Sequence, residues 1–376
     1  MRCTAIKRLL FLVVLGWGLT ITSLSAQQRV TLLFAGDLMQ HKAQIDAART
    51  DSGTYDYTPC FARVKRQIEA ADLAIGNLEV TLGGRPYTGY PAFSAPDEYL
   101  TAIRDAGFDV LLTANNHCLD RGSPGLVRTL NKLDSLHIPS LGTYRDSLDR
   151  AHRHPLLFTL KGIRIALLNY TYGTNGLRPR SPALVNYIDR KQMQQDIHTA
   201  QAWRPDVLIA CIHWGQEYQS LPNHAQRELA DWLFEQGVDH IIGSHPHVLQ
   251  PMELRTDTLR SSQHVLAYSL GNFISNMSAR GTDGGALLTL TLEKVQPMRT
   301  LRPSTRTVNC TYHLVWTGRP SLTGKQNFEL YPVTLPADSI PTSARNRLKI
   351  FTEDARRLFS RHNKGIYEQA LTLPSS

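Results

Sequence analysis

Paired cysteines are the first thing this sequence lacks. Its five cysteines form no Cys-x-x-Cys pair and no zinc-finger spacing, which excludes a thiolate zinc module and a small disulfide scaffold. No Gly-x-x-x-x-Gly-Lys-[Ser/Thr] loop occurs, which argues against an ATP-driven ligase. Charge is sparse, at 19% of 376 residues, and aromatics supply 8% against 42% hydrophobic residues. With no fixed-period repeat and no low-complexity tract, that balance excludes a disordered or fibrous chain. The formal charge is +9, and Arg2, Lys7 and Arg8 contribute three of it ahead of any acid. The modest remainder gives no sign of a nucleic-acid partner. Long apolar runs are also missing beyond Leu19, so no later segment reads as a bilayer span.

What is present begins with Arg2, Lys7 and Arg8, the apolar run Leu9–Leu19 and the small, polar stretch that follows. This charged, apolar, small-residue order predicts a secretory signal over residues 1–26, cleaved near Ser25–Ala26. An uncleaved anchor is the alternative. Either way the protein is expected to be exported, to the periplasm or cell surface. Past the signal, Cys60, Cys118, Cys211 and Cys310 allow three disulfide connectivities, while Cys211, inside an apolar run, reads equally well as a buried free thiol.

Apolar runs at Val30–Ala35, Leu73–Gly76, Asp109–Thr113, Ile163–Tyr170, Val207–Ile212, His240–Gly243, Val265–Leu270 and Ala286–Leu292 read as strands. Amphipathic segments separate many of them. Thr58-Pro59 opens one helix, with Val64, Ile68 and Ala71 on a face; Ser123-Pro124 opens another; Asn223 and Gln226 form a capping box for a third. The alternation predicts an α/β architecture with buried sheets. Residues 27–295 form the main domain, 296–361 supply strands and a helix that complete it, and 362–376 read as a tail.

Polar residues gather at the strand ends, where open α/β sheets place their chemistry. One run ends in Asp37 and His41, the next in Glu79, the third in Asn116, His117 and Asp120. Two later runs end in His213 with Glu217 and Tyr218, and in His245 and His247. Taken alone, Asp37 reads as a helix cap, Asp120 as a turn residue and His213 as a core histidine. Together they form a carboxylate, amide and imidazole set that suits Mn, Fe or Zn in a two-metal site. Tyr170, Asn175, Tyr268 and Asn272 read as loop-shaping groups at the cleft, and Cys118 as incidental.

The stretches GDLMQH, GNLEVTL, TANNHCLDRG, NYTYGTNG, CIHWGQEY, GSHPHVLQPME and YSLGNFIS occur in that order. They resemble the CapA family of bacterial capsule-synthesis (poly-γ-glutamate) proteins, itself similar to calcineurin-like metallophosphoesterases. The VWTGRP and ELYPV segments echo it more loosely. The resemblance implies a layered α/β/β/α sandwich, divalent metal ions, and an anionic polymer or phosphoester as substrate. It implies Asp37, His41, Glu79, Asn116, His213, His245 and His247 as metal ligands and His117, with Asp120, as the catalytic pair. Glu217 and Tyr218 become substrate contacts. Two departures stand out: Asp-x-x-x-His replaces Asp-x-His, and Glu79 replaces an aspartate. A non-catalytic binding or assembly factor for an anionic surface polymer, within an envelope biosynthesis complex, is the second functional reading. The basic C-terminal helix, with Leu348, Phe351, Ala355 and Leu358 on its buried face, offers Arg345, Arg356 and Arg357 for peripheral contact with such a polymer or a membrane.

Overall fold

The computed structural model describes residues 28–257, 262–295 and 304–369. The expected signal, residues 1–26, lies outside the described residues. The larger sheet has nine strands, in the order β16 (Glu329–Pro332), β15 (Ser304–Gly318), β14 (Gly284–Val295), β1 (Gln28–Leu38), β2 (Leu73–Leu78), β3 (Val110–Leu112) and β4 (Ser140–Leu141). Off that path, β13 (Asn272–Ile274) pairs with β1 and β17 (Tyr367–Glu368) with β15. The second sheet has six strands, ordered β11 (Met252–Asp257), β12 (Ser262–Ala267), β10 (His240–Ser244), β9 (Val207–His213), β7 (Ile163–Thr171) and β6 (Leu156–Leu160). A small ribbon joins β5 (Thr143–Tyr144) to β8 (Leu184–Val185).

The strands read as unbroken apolar runs because both faces of each sheet are covered. Along β1, Val30, Leu32 and Phe34 join the cluster between the sheets, while Leu33 and Ala35 join the cluster outside the larger sheet. Along β9, Val207, Ile209 and Cys211 face inward, and Leu208, Ala210 and Ile212 face outward. This is the two-residue period of a strand applied to two buried faces. The outer face of the larger sheet is covered by helices including α4 (Asp97–Asp105) and α5 (Gly122–Ser135), through Tyr99, Ile103, Leu126, Leu130 and Leu133. The outer face of the second sheet is covered by α7 (Arg190–Ala202) and α8 (His224–Glu235), through Met193, Ile197, Leu229 and Leu233. The result is a layered α/β/β/α sandwich. Asn223 does form a capping box with Gln226 at the start of α8.

Two local expectations change. The helix expected from Thr58 is two short ones, α2 (Thr58–Phe61) and α3 (Lys65–Glu69), with Val64 between them. Pieces of this length are held by packing rather than by propensity, and Phe61, Val64 and Ile68 all enter the outer cluster. Residues 363–369, expected as a tail, pair instead. The Lys364 N–H donates to Met252 O at 2.9 Å, Leu254 N–H donates to Lys364 O at 2.7 Å, and β17 lies parallel to β15. Ahead of them, α10 (Thr342–His362) closes the inner cluster with Ala344, Phe351, Ala355 and Phe359. Two of its arginines meet acids of the same chain: Arg356 pairs with Glu368 at 2.7 Å and Arg347 with Asp283 at 2.6 Å. Among the described residues no helix is long and apolar enough to cross a membrane. All four described cysteines are free and buried, and burial pushes the Cys118, Cys211 and Cys310 thiols up to about 12. They are thiols, not thiolates, at neutral pH, which removes Cys118 as a nucleophile.

A buried polar network ties the second sheet to its helices. Asp196 on α7 accepts from Arg150 of α6 (Ser147–Arg153) at 2.6 Å and from the Tyr170 hydroxyl at 2.8 Å, and lies 3.1 Å from His154. Burial opposes its charge, but the His154 and Arg150 contacts outweigh it and hold the carboxyl down to about 2. A depressed carboxyl contributes stability that is present above its unfolded value, near 3.8, and is lost as pH falls through about 2. Asp196→Asn is therefore expected to lower unfolding free energy at pH 7 by about 1.5–3 kcal/mol. It should also flatten the loss between pH 4 and 2, as read by urea unfolding across that range. A variant with the wild-type acid profile would exclude this role.

Candidate metal centre

Pairing of β1 with β2 runs in step from Leu32 opposite Leu73 to Ala35 opposite Gly76, then slips so that Asp37 opposes Asn77. Gly36 is the extra residue of a bulge. Without it, the alternation would send Asp37 outward into the helix layer; with it, Asp37 returns to the inner face beside Asn77. Glycine is required here, because a Cβ on Gly36 would stand 2.0 Å from Gly271 O. On β9 the next inward position after Cys211 is His213. His245 and His247 follow β10 in a loop where they adopt φ of 102° and 57°. Such backbone is costly for a residue with a side chain and persists where the surroundings over-determine it. Tyr218 and Asn175, at 65° and 51°, share it at the rim.

These side chains converge. Ligand atoms of Glu79, His245 and His247 lie within 4.8 Å of one another, and so do those of Asp37, Glu79 and His213. Glu79 belongs to both groups. Its Oε1 is 3.6 Å from His213 Nε2 and 3.8 Å from His247 Nε2. That is too long for hydrogen bonds, yet donor atoms about 2.1 Å from a shared ion would stand roughly 3–4 Å apart. Glu79 Oε1 and His245 Nδ1 are buried with no hydrogen-bond partner. Among the described residues neither carboxylate has a lysine or arginine partner. Two fully buried carboxylates without a lysine or arginine are costly, and burial together with Asp37 raises the Glu79 carboxyl well above its usual range. Burial lowers His213 well below the ordinary imidazole value and His245 to about 3, so both present neutral lone pairs. His247 moves the other way: burial opposes its charge, but Asp37, 3.1 Å away, raises it. Orphaned buried atoms, carboxylates with no lysine or arginine partner, and neutral imidazoles at His213 and His245 make this donor set fit a divalent cation.

The remaining expected residues divide. Asn116 Oδ1 lies 2.8 Å from His213 Nε2, so the two sheets meet directly at these two atoms. His117 and Asp120 form a buried pair, Nδ1 to Oδ2, 2.8 Å. The same Asp120 oxygen accepts from Phe93 N–H at 2.8 Å, and the Phe93 ring packs edge-on against His117 at 4.6 Å. Asp120 thus orients the imidazole, and His117 Nε2 has no partner among the described residues. Tyr218 lies 6.4 Å from the His247 ring, exposed, and burial with Glu217 raises its hydroxyl to about 12. His41 stands off both ligand groups. Its Nδ1 lies 3.3 Å from Asn276 N–H and 3.2 Å from Gln44 Oε1, and burial lowers it to about 4.

Sequence reasoning missed the amides and one tyrosine. Asn77 Nδ2 donates to Asp37 Oδ1 at 2.8 Å and lies 3.3 Å from His213 Nδ1. Asn272, read as loop-shaping, puts Oδ1 3.0 Å from His247 Nδ1. Tyr172 covers His245, with ring centroids 4.5 Å apart. Asn169 accepts from Ala114 N–H at 2.9 Å and donates to Cys211 O at 3.1 Å, so one side chain staples the segment before Asn116 to the strand before His213. Amides at strand ends look like turn residues in sequence, and the one signal that could have found them is their place in the stretches GNLEVTL, NYTYGTNG and YSLGNFIS.

Residues 31–277 match the family described as bacterial capsule synthesis protein PGA_cap. The chain belongs to this family. This PGA_cap protein is 29% identical over 281 residues to the PGA biosynthesis protein CapA of Bacillus subtilis (strain 168), covering 69% of this chain and 67% of that one. It is 27% identical over 273 residues to the capsule biosynthesis protein CapA of Bacillus anthracis, covering 69% and 63%. The chain therefore spans about two thirds of the length of these relatives. Among solved structures, the Haemophilus influenzae NAD nucleotidase NadN aligns over 92% of this PGA_cap chain and 65% of its own, at 12% identity and a TM-score of 0.48.

Proposed function

We propose that this PGA_cap protein is a divalent-metal hydrolase that cleaves a phosphoester during synthesis of an anionic capsule polymer, outside the cytoplasm. The observation that carries the reading is Glu79. It is a fully buried carboxylate shared by two ligand groups, with an orphaned oxygen facing two imidazoles. Asp37, Glu79, His213, His245 and His247 would hold the metal, with Asn116 beside them. Bound divalent ions would supply Lewis-acid polarisation of a phosphoryl oxygen and a nucleophile from water at neutral pH. The chain's own groups do the rest. Asp120 accepts the His117 Nδ1 proton and so leaves Nε2 to exchange a proton with the leaving-group oxygen. Tyr172 screens His245 from solvent, and the Asn169 staple keeps Asn116 and His213 in register. The names of the Bacillus relatives support capsule polymer as the context, and the charged–apolar–small order of residues 2–26 supports export.

The test combines metal analysis of purified protein with assays on generic phosphomonoesters and phosphodiesters after supply of Mn²⁺, Zn²⁺ or Fe²⁺. Bound metal with metal-dependent turnover is expected. Protein that stays metal-free after reconstitution would exclude the site. Metal-loaded protein without turnover would transfer the assignment to polymer binding or assembly.

A further inference from the structure

Arg319 follows β15 and precedes the short helix α9 (Pro320–Thr323), in the segment Val315-Trp316-Thr317-Gly318-Arg319-Pro320, outside the residues that match the family. Its guanidinium is half-buried and has one hydrogen-bond partner among the described residues, the backbone oxygen of Met277. A guanidinium carries five N–H donors and cannot shed its charge. Asp283 favours that charge through space, but its Oδ2 is taken by Trp316 Nε1 at 3.1 Å and Arg347 Nε at 2.6 Å. Most other half-buried arginines here end on a carboxylate, as Arg128 does on Asp97 and Arg150 on Asp196. Holding a cation partly out of water without an anion is unfavourable.

Its anchor lies against the metal centre. Met277 Sδ is 3.3 Å from Asn272 Nδ2, and Asn272 Oδ1 is 3.0 Å from His247 Nδ1. The preceding residue, Asn276, directs its N–H at His41 Nδ1. One turn, residues 275–277, is therefore tied to Arg319 on one side and to His41 and His247 on the other. We propose that Arg319 is a substrate-binding residue whose guanidinium pairs with an oxyanion of the substrate, phosphoryl or carboxylate, on the His41 side of the metal centre. Planar N–H pairs match both anions in bidentate geometry. This inference rests on the hydrolase reading for its place in a reaction, but its test does not need turnover.

The experiment is calorimetric titration of the purified, metal-quantified protein with inorganic phosphate and, separately, with glutarate. Wild type, Arg319→Met and Arg319→Lys are compared, with melting temperature and metal content measured for each. Arg319→Met is expected to weaken binding of at least one probe by about 10–100-fold, at wild-type metal content, and Arg319→Lys by less. The probe that loses affinity identifies the oxyanion. If turnover exists, KM should rise more than kcat falls. Wild-type affinity in both variants overturns the proposal, whatever happens to melting temperature, and so does a wild type that binds neither probe. If Arg319→Met does not fold, Arg319→Lys decides, since it keeps the charge and loses the fork. Absence of turnover with anion binding intact would count against hydrolysis and leave Arg319 standing.

Discussion

Replacing His117 by asparagine is expected to lower phosphoester turnover by about 10²–10⁴-fold while metal content stays at the wild-type level. The expectation comes from where its two nitrogens stand. Nδ1 is committed to Asp120 at 2.8 Å, and His117 belongs to neither ligand group. Its loss should remove a proton donor and leave the metal donors in place. Asp120→Asn should reproduce part of the effect, because an amide no longer dictates which nitrogen carries the proton. The measurement is kcat/KM beside metal stoichiometry on the same preparations. If His117→Asn loses metal in proportion to activity, His117 is a ligand and the proposed role is wrong.

Glu79→Gln should act in the opposite sense on metal and on fold. The shared carboxylate is the one group common to both ligand sets, so its neutral isostere should weaken metal binding by at least about 10–100-fold and abolish measurable turnover. In metal-free buffer the same change should leave stability equal to or above wild type. The reason is that Glu79, buried beside Asp37, is pushed toward its protonated form. A carboxyl raised above its unfolded value contributes stability at low pH that is lost as pH rises from near 4.5 through the folded value. Wild-type apoprotein should thus weaken as pH rises over that window, and the Glu79→Gln variant should weaken less. Urea midpoints with and without chelator, at pH 5 and 8, check both halves. Wild-type metal affinity in Glu79→Gln would remove Glu79 from the centre.

How far the site could be read in advance differs residue by residue. Asp37, Glu79, Asn116, His213, His245 and His247 were each visible as a polar residue just past an apolar run, because parallel strands deliver their ends to one edge. Asn77, Asn272 and Asn169 were not. An amide contributes no charge and no ligand signature to a sequence, and its meaning lies in which two groups it bridges. His41 illustrates the reverse. The family resemblance alone put it among the ligands, and the start of α1 (Lys42–Ala48) directs its ring onto Phe93 at 5.2 Å and its Nδ1 toward Asn276. The basic helix α10 was legible as amphipathic, but not the acids that meet its arginines, since Glu368 and Asp283 come from elsewhere in the fold.

The alternation of strands and helices, the burial of both sheet faces and the identity of most donors that could hold a cation are all written in the amino-acid sequence. These follow from local chemistry: side-chain period, turn residues and the short list of residue types that ligate metals. The packed fold is what makes Gly36 bulge so that Asp37 turns inward, what lets Glu79 serve two donor groups at once, and what sets Asp120 against His117. It alone brought Arg319, 282 residues beyond Asp37 in the chain, to the turn that carries the histidine partners. These are a register slip, a loop contact and meetings between segments far apart in the chain, set by how the elements pack, and no periodicity along one chain encodes them.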